Sequence, residues 1–297
     1  MTTTAVRSGA AVRRSTAARR RNVVGWTLTL PSIIVMAVLT VAPLVTVLVG
    51  GISTQGWDRL QLLAANPAFK DLLTNTVIWV VAGTVGSLAF GTAGALALQH
   101  RLVKAKGAWR AILLIPWITP TVVAATAWKW FYSRDYGVLN SLLMSAGIID
   151  EPVGWLTDTR IALLAVVLVH VWATFSFVML MISAALQTIP QELYEAAKVD
   201  GAGPVRTFRS IVLPSIADIA FIVTLIVTVW TLNSFLPVWV MTGGGPAGAT
   251  NILPVQLYQY FLQGDEGAIH VLATIQLLIT IGIAAFYVQR TRRDPQR

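Results

Sequence analysis

The chain has 297 residues, of which 56% are hydrophobic and only 12% charged, with a formal net charge of +9 and no cysteine. A soluble domain carries about 25% charged residues, so this chain could bury a core of any size but lacks the polar surface to cover one. Disulfides and thiolate metal sites are excluded, and eleven Trp with ten Phe suit a chain that crosses membrane interfaces, where amphipathic rings collect.

In chain order, residues 1–22 form a basic tail carrying Arg7, Arg13, Arg14, Arg19, Arg20 and Arg21, expected to be disordered. Arg13-Arg14 has the look of a twin-arginine export signal. However, the apolar run behind it is longer than the roughly 7–15 residues of a signal-peptide core, and no small-residue cleavage pattern follows. An uncleaved first span is expected instead. Apolar stretches long enough for the roughly 20 residues of a membrane helix lie at 24–50, 72–98, 111–132, 161–186, 215–241 and 268–289. The predicted fold is an all-α membrane protein of six spans over residues 23–289, with a short C-terminal tail at 290–297 also expected to be disordered.

The connections hold most of the charge. With both termini on one side, the N-terminal tail contributes six basic residues, the second–third connection four (Arg101, Lys104, Lys106, Arg110), the fourth–fifth three (Lys198, Arg206, Arg209) and the C-terminal tail four, or 17 of 22. Arg59, Lys70, Lys129, Arg134 and Arg160 fall to the other side. Basic residues concentrate in cytoplasmic loops, so both termini are expected to be cytoplasmic. The excess charge therefore reports topology, and no nucleic-acid partner is expected. On the outward side, the loop 133–160 carries Asp135, Asp150, Glu151 and Asp158, and the loop 242–267 contains "GGGPAGATN". Both are too short for a domain and longer than turns, and loops of that length usually bind or gate something.

Enzyme chemistry finds little support. No phosphate-binding Gly-x-x-x-x-Gly-Lys-[Ser/Thr] loop and no Gly-x-Ser-x-Gly elbow is present. His100, His170 and His270 lie apart without metal-ligand spacing, and His170, deep in the fourth span, reads as a hydrogen-bonded packing residue. Neither a catalytic nor a metal site is expected. An ion-driven carrier plants carboxylates at mid-membrane, whereas Asp218 and Lys129 sit near span ends. Energy has to arrive from outside the chain.

One stretch breaks the apolar pattern: "ELYEAAKVDGAGPVRTFRSIVLP", from Glu192 to Pro214, within the connection 187–214. Thr188 is placed to cap a helix with Pro190 in its first turn and Gln191 closing a capping box. Gly201 supplies a left-handed stop, Pro204 starts a second short helix, and Pro214 opens the fifth span. A helix of about eleven residues, roughly 16 Å long, would cross the cytoplasmic mouth of the bundle. Ala196 and Ala197 allow another backbone to approach, and Glu195 offers an acceptor. Acidic residues and few large apolar ones suit a protein groove better than anionic lipid headgroups.

The spacing Glu195-Ala196-Ala197, three residues, Gly201, nine residues, Ile211-x-Leu213-Pro214 resembles the signature loop of binding-protein-dependent ABC importer permeases. The longer "ELYEAAKVDGAG" is similar to the carbohydrate branch. "TGGGPAGAT" followed by "LYQYF", and "GWLTDTRIA" at 154–162, resemble the maltose and glycerol-phosphate type permease subunit. One departure lies in "YQYFLQGDEG", where the family's usual Ala-Phe is not evident. The resemblance covers the chain from about residue 72 onward. It implies a coupling helix, with Glu195, Ala196, Ala197, Asp200, Gly201, Ile211, Leu213 and Pro214, that inserts into a cleft on a cytoplasmic ATPase. It implies as partners a second, different permease, two ATPase subunits that carry the ATP and Mg, and an extracytoplasmic solute-binding protein. It also implies that this chain binds no cofactor.

The family's solute contacts fall on Ala173, Thr174 and Phe177 in "HVWATFSF" and on Trp230, Thr231 and Ser234 in "VWTLNSF", with Asn233 beside them. Gly244, Gly245 and Pro246 mark the outward loop. Thr224, Thr228, Thr231 and Ser234 repeat every three or four residues, giving one polar stripe on an apolar helix. Such a stripe beside Trp230 suits a sugar-like solute; it also suits helix packing. The expected function is the membrane permease subunit of an ATP-driven importer for a sugar, oligosaccharide, polyol or glycerol-phosphate solute. A permease for a non-carbohydrate solute would share the motif, whereas a membrane scaffold or receptor would need no coupling loop.

Overall fold

The computed structural model describes residues 6–100 and 102–292, and among these every regular element is helical. Helix α1 runs Val6–Ile52, α2 Thr54–Ala65, α3 Pro67–Gln99, α4 Lys106–Ile118, α5 Thr121–Phe131 and α6 Val138–Ser145. They are followed by α7 Ala162–Leu186, α8 Gln191–Val199, α9 Pro204–Thr207, a π-helical turn Phe208–Val212, and α10 Leu213–Leu232. Helices α11 Leu236–Thr242, α12 Leu253–Gln263 and α13 Glu266–Arg292 complete the chain. Five helical runs are long and apolar enough to cross a membrane: Thr29–Ile52, Pro67–Gln99, Ala162–Leu186, Pro204–Thr242 and Glu266–Arg290. The pair α4 and α5 makes a sixth when read as one broken span.

Several expectations need correction. Helix α1 reaches back to Val6, so the stretch expected as a disordered tail is helical from that residue, where alanine and arginine, both strong helix formers, dominate. At the other end α13 continues past Gln289 to Arg292. The rest of both tails, 1–5 and 293–297, lies outside the described residues. The third span is not continuous: α4 and α5 meet at 93°. Thr119, which precedes Pro120, adopts φ −67° and ψ 127°, the extended geometry that a following proline imposes. Pro214 does sit in the first turn of α10, but the apolar helical run starts earlier than expected, at Pro204. A proline inside an α-helix removes a donor and crowds the carbonyl four residues earlier. The wider π turn at Phe208–Val212 directly precedes Pro214 and gives that ring room. Helices α2, α6 and α12 occupy stretches read as loops.

Helix α7 is the hub, with 61% of its most apolar window buried, against none for α1. Helix α3 lies along it through Gly83, Ser87, Gly91 and Ala95, all buried and spaced four residues apart. Small residues at that period let membrane helices approach closely. A Cβ added at Gly91 would stand 2.7 Å from the backbone oxygen of Phe175. Two buried clusters mark the two ends of the bundle. Leu98, Leu186, Ile189, Val212 and Ile216 gather at the end that carries α8. Trp79, Tyr132, Val166, Val238, Met241 and Ile252 gather at the end that carries the loops.

Candidate functional site

Three regions hold the residues singled out by the sequence, and the structure separates them: the α8 connection at one end, the α7–α10 face in the middle of the bundle, and the loop with Gly244, Gly245 and Pro246 at the other end.

Pro190, not Thr188, flanks the start of α8, and no side chain caps it. Thr188 still belongs to the turn that ends α7, with its hydroxyl donating to the Ala185 carbonyl at 2.8 Å. The expected capping box therefore does not form. Gln191 instead donates to Glu195 Oε1 at 2.9 Å, an (i, i+4) pair along the helix. The stop is as expected. Gly201 sits at φ +67° with nothing around its Cβ position. Ala202 N–H reaches the Ala197 carbonyl at 2.9 Å, and Gly201 N–H reaches that of Lys198 at 3.1 Å. These are the two bonds of a Schellman stop, which favours glycine at its left-handed position.

Helix α8 anchors itself through buried Ala197 and half-buried Tyr194, which packs on the α7-end cluster. Burial pushes the Tyr194 phenol above its ordinary pKa. Glu195, Ala196 and Asp200 face solvent. So do Leu193, Val199 and Val205, with Val199 88% exposed. The surface is thus more apolar than the charge pattern suggested. Within the π turn Ile211 is half-buried, and just past it Leu213 and Pro214 are exposed.

The mid-bundle residues divide into two groups. Phe177 meets Trp230 at a ring-centroid distance of 4.7 Å and Trp117 of α4 at 5.8 Å. Trp230 remains 46% exposed. Exposed Asn233, at the break between α10 and α11, donates to the Val229 carbonyl and accepts from Gln276 of α13 at 2.9 Å. Ser234 and Ala173 are half-buried. Ala173, Phe177, Trp230, Asn233 and Ser234 form the accessible part of the set.

Thr231 and Thr174 are buried and serve the packing in this structure. Thr231 donates to the Val227 carbonyl at 2.7 Å, lies 3.0 Å from His170 Nε2, and accepts from Trp79 Nε1 at its own carbonyl, 2.8 Å away. One threonine so ties α3, α7 and α10 together, and His170 is the hydrogen-bonded packing residue its position predicted. Thr174 donates back to the His170 carbonyl at 2.8 Å. Thr224 and Thr228 likewise bond carbonyls four residues behind them.

At the loop end, Gly244 is buried at φ +93°, and the Gly245–Pro246 bond is cis. Thr250 donates to the Gly245 carbonyl at 2.7 Å and lies 2.6 Å from the Thr242 hydroxyl. Asn75 of α3 holds the Gly248 carbonyl at 3.1 Å. Sequence reasoning missed Asn140, which is 2% exposed and joins four groups. Its amide bonds the carbonyls of Ser133 and Val153, and its oxygen accepts from Val153 N–H and, at 2.9 Å, from Trp155 Nε1. A lone Asn between Leu139 and Ser141 in a short apolar helix gave no periodic signal. Gln276, the partner of Asn233, was equally silent. No cluster of metal-ligating side chains occurs among the described residues.

These features define a polytopic helical membrane protein with a short exposed helix at one end and ordered loops at the other. Residues 88–292 match the family described as "Binding-protein-dependent transport system inner membrane component", and the chain belongs to that family of multi-pass inner-membrane permeases. It is 40% identical over 207 residues to the trehalose/maltose transport system permease protein of Thermococcus litoralis, covering 69% of each chain. It is 30% identical over 294 residues to the lactose transport system permease protein of Rhizobium radiobacter, covering 94% of this chain and 98% of the other. Its fold matches a chain in the crystal structure of a bacterial ABC transporter involved in the import of the polysaccharide alginate, with TM-score 0.81, 21% identity, and coverage of 95% and 100%.

Proposed function

We propose that this chain is the permease subunit of an ATP-driven importer for a saccharide or a closely related polyol or glycoside. The relatives named for trehalose/maltose and lactose transport support the solute class. A third relative, the sulfoquinovosyl glycerol transport system permease protein of Agrobacterium fabrum, 34% identical over 238 residues, supports it too. Both termini and α8 face the cytoplasm in this reading, which the bias of 17 of 22 basic residues supports. Helix α8 is the coupling helix. Its exposed Val199 lies one turn from Glu195 on the same side of the helix, a mixed apolar and acidic face suited to a groove on a separate ATPase, where ATP and Mg are held. The chain itself hydrolyses nothing and binds no cofactor. A second permease completes the pathway, two ATPase subunits power it, and an extracytoplasmic binding protein delivers solute. Solute passes the accessible face made by Phe177, Trp230, Asn233 and Ser234.

The observation that carries this reading is the Schellman-stopped α8 at the end of the bundle that carries the basic connections. Reporter fusions within 196–204 and within 142–154 should read cytoplasmic and external, respectively. The assembled importer in vesicles should then take up at least one of trehalose, maltose or lactose with ATP and loaded binding protein. A folded complex whose ATPase is stimulated by its binding protein, yet which accumulates none of the three, would overturn the saccharide assignment.

A further inference from the structure

Two motifs that the coupling and pathway assignments leave unused, "GWLTDTRIA" and "TGGGPAGAT", lie almost 90 residues apart and line the same cavity. It opens at the loop end of the bundle, between the turn that follows α5, the Gly154–Thr157 turn and the loop after α11, and has a volume of about 460 Å³. Small-molecule sites run from about 300 to 1,000 Å³.

Its walls combine aromatic faces with hydroxyl groups and charges of both signs, and a third charged group, Lys129, donates to the Val240 carbonyl at 3.2 Å. Tyr132, Tyr136 and Trp155 contribute rings, Thr157 and Thr242 hydroxyls, and Arg134 and Asp135 the charges. The polar ends of two rings are tied back into the protein. Trp155 Nε1 donates to Asn140, and Tyr132 OH donates to the Ala165 carbonyl at 3.3 Å. Their ring centroids stand 6.0 Å apart at 31°. Arg134 and Asp135 form no ion pair among the described residues, so both are free to meet a ligand.

The walls are also rigid. Asn140 fixes Val153 and Trp155. The next turn is closed by the Gly154 carbonyl, which accepts from Thr157 and Asp158 N–H at 3.0 and 2.9 Å. Asp158 in turn holds Arg160 at 2.8 Å. Across the cavity, the Thr242–Thr250–Gly245 bonds set the opposite wall.

We propose that this cavity is a receiving subsite for a saccharide ring, in series with the mid-bundle face. Sugar rings offer C–H faces to aromatic side chains and hydroxyls to paired donors and acceptors. Threonine hydroxyls with an arginine and an aspartate supply both, and a charged partner makes the stronger hydrogen bond. Helix α11 links the two places. Ser234 lies just before its start and Thr242 at its end, and seven residues span about 10 Å. A solute released at the outer mouth would rest one short helix from Trp230. The inference builds on the orientation and solute class proposed above.

The test measures sugar binding to the complete importer in nanodiscs with no binding protein present. Saturation-transfer NMR with millimolar trehalose, maltose and lactose is compared for wild type, Arg134→Gln, Tyr136→Ala and Trp230→Ala. Arg134 and Tyr136 are exposed, so both replacements leave the fold intact, which the melting temperature of each complex verifies. The expected result is a transfer signal from at least one sugar that drops several-fold in Arg134→Gln and Tyr136→Ala but persists in Trp230→Ala. No signal from any of the three sugars in wild type overturns the subsite. A signal lost only in Trp230→Ala overturns it too, while leaving the transport reading standing. Unchanged sugar signals in both loop variants, with weaker ATPase stimulation by the binding protein, would make this wall a protein-docking surface and end the proposal.

Discussion

Helices α7 and α8 are separated by four residues, 187–190, and behave in opposite ways. Helix α7 has 25 residues without one charged side chain, and most of its surface is buried inside the chain. Helix α8 has nine residues, of which only Ala197 is buried. A buried apolar helix is held by the bundle and holds it in return. A short exposed helix contributes little to the bundle, since isolated helices under about 12 residues are marginal in water. What keeps its sequence ordered is its stop and its foot on the cluster below. Damage to α7 should therefore appear as lost protein, and damage to α8 as lost coupling in intact protein.

The sharpest way to break that contrast is Gly91→Leu on α3. The new side chain would drive into the Phe175 carbonyl and Val178, backbone and Cβ atoms that cannot swing aside. Overpacking a tight core costs about 1–3 kcal/mol and sometimes more. Here the expected outcome is loss of monodisperse complex on size-exclusion chromatography. A normal yield with a normal melting temperature would show that α3 and α7 are not packed through that face.

Gly201→Val probes the other side of the comparison. A β-branched residue at φ +67° is strained by about 1–2 kcal/mol, but nothing nearby would collide with it. Complex yield should hold. ATP-driven uptake should fall at least several-fold, with binding-protein stimulation of ATPase falling in parallel. Unimpaired uptake would mean that α8 need not end there to couple.

How much of this was legible beforehand follows from the kind of force involved. The spans could be read because burial in lipid demands about 20 apolar residues, and each of the six stretches coincides with a helical run or with the broken pair. Gly201 could be read because a left-handed stop selects one residue type. The 93° bend at Thr119-Pro120 was available in principle, since the residue before proline is pushed out of the helical region, yet hydropathy averages over it. The π turn before Pro214 is a local accommodation that no periodic pattern announces. Burial within the stripe of threonines was illegible for another reason. Thr224, Thr228 and Thr231 each satisfy the hydroxyl on the carbonyl four residues behind, and only the neighbouring helices decide which of them is accessible. Thr231 falls under α3 and α7; Trp230, one residue earlier, does not.

That last distinction yields the two smallest effects, argued as a pair. Thr231→Val and Thr224→Val make the same chemical change on one helix. Thr231 is fully buried, and its hydroxyl meets His170 across the α7 interface at 3.0 Å. Removing it leaves the imidazole Nε2 without that partner. A buried hydrogen bond left unmade costs about 1–3 kcal/mol in soluble proteins, whereas bonds between membrane helices average about 0.6 kcal/mol. The expected loss is therefore about 1 kcal/mol, read as a few degrees in the melting temperature of the complex. Thr224 is half-buried and bonds only the Ala220 carbonyl, 2.7 Å away in its own helix. That carbonyl keeps its place in the backbone ladder when the hydroxyl is gone. The expected change is a few tenths of a kcal/mol at most, because such local back-bonding is close to neutral for the helix. Solute selectivity should be unaltered in both. Should Thr231→Val instead keep full thermal stability and change which sugar is taken up, the hydroxyl would belong to the solute path, and the His170 contact would open during transport.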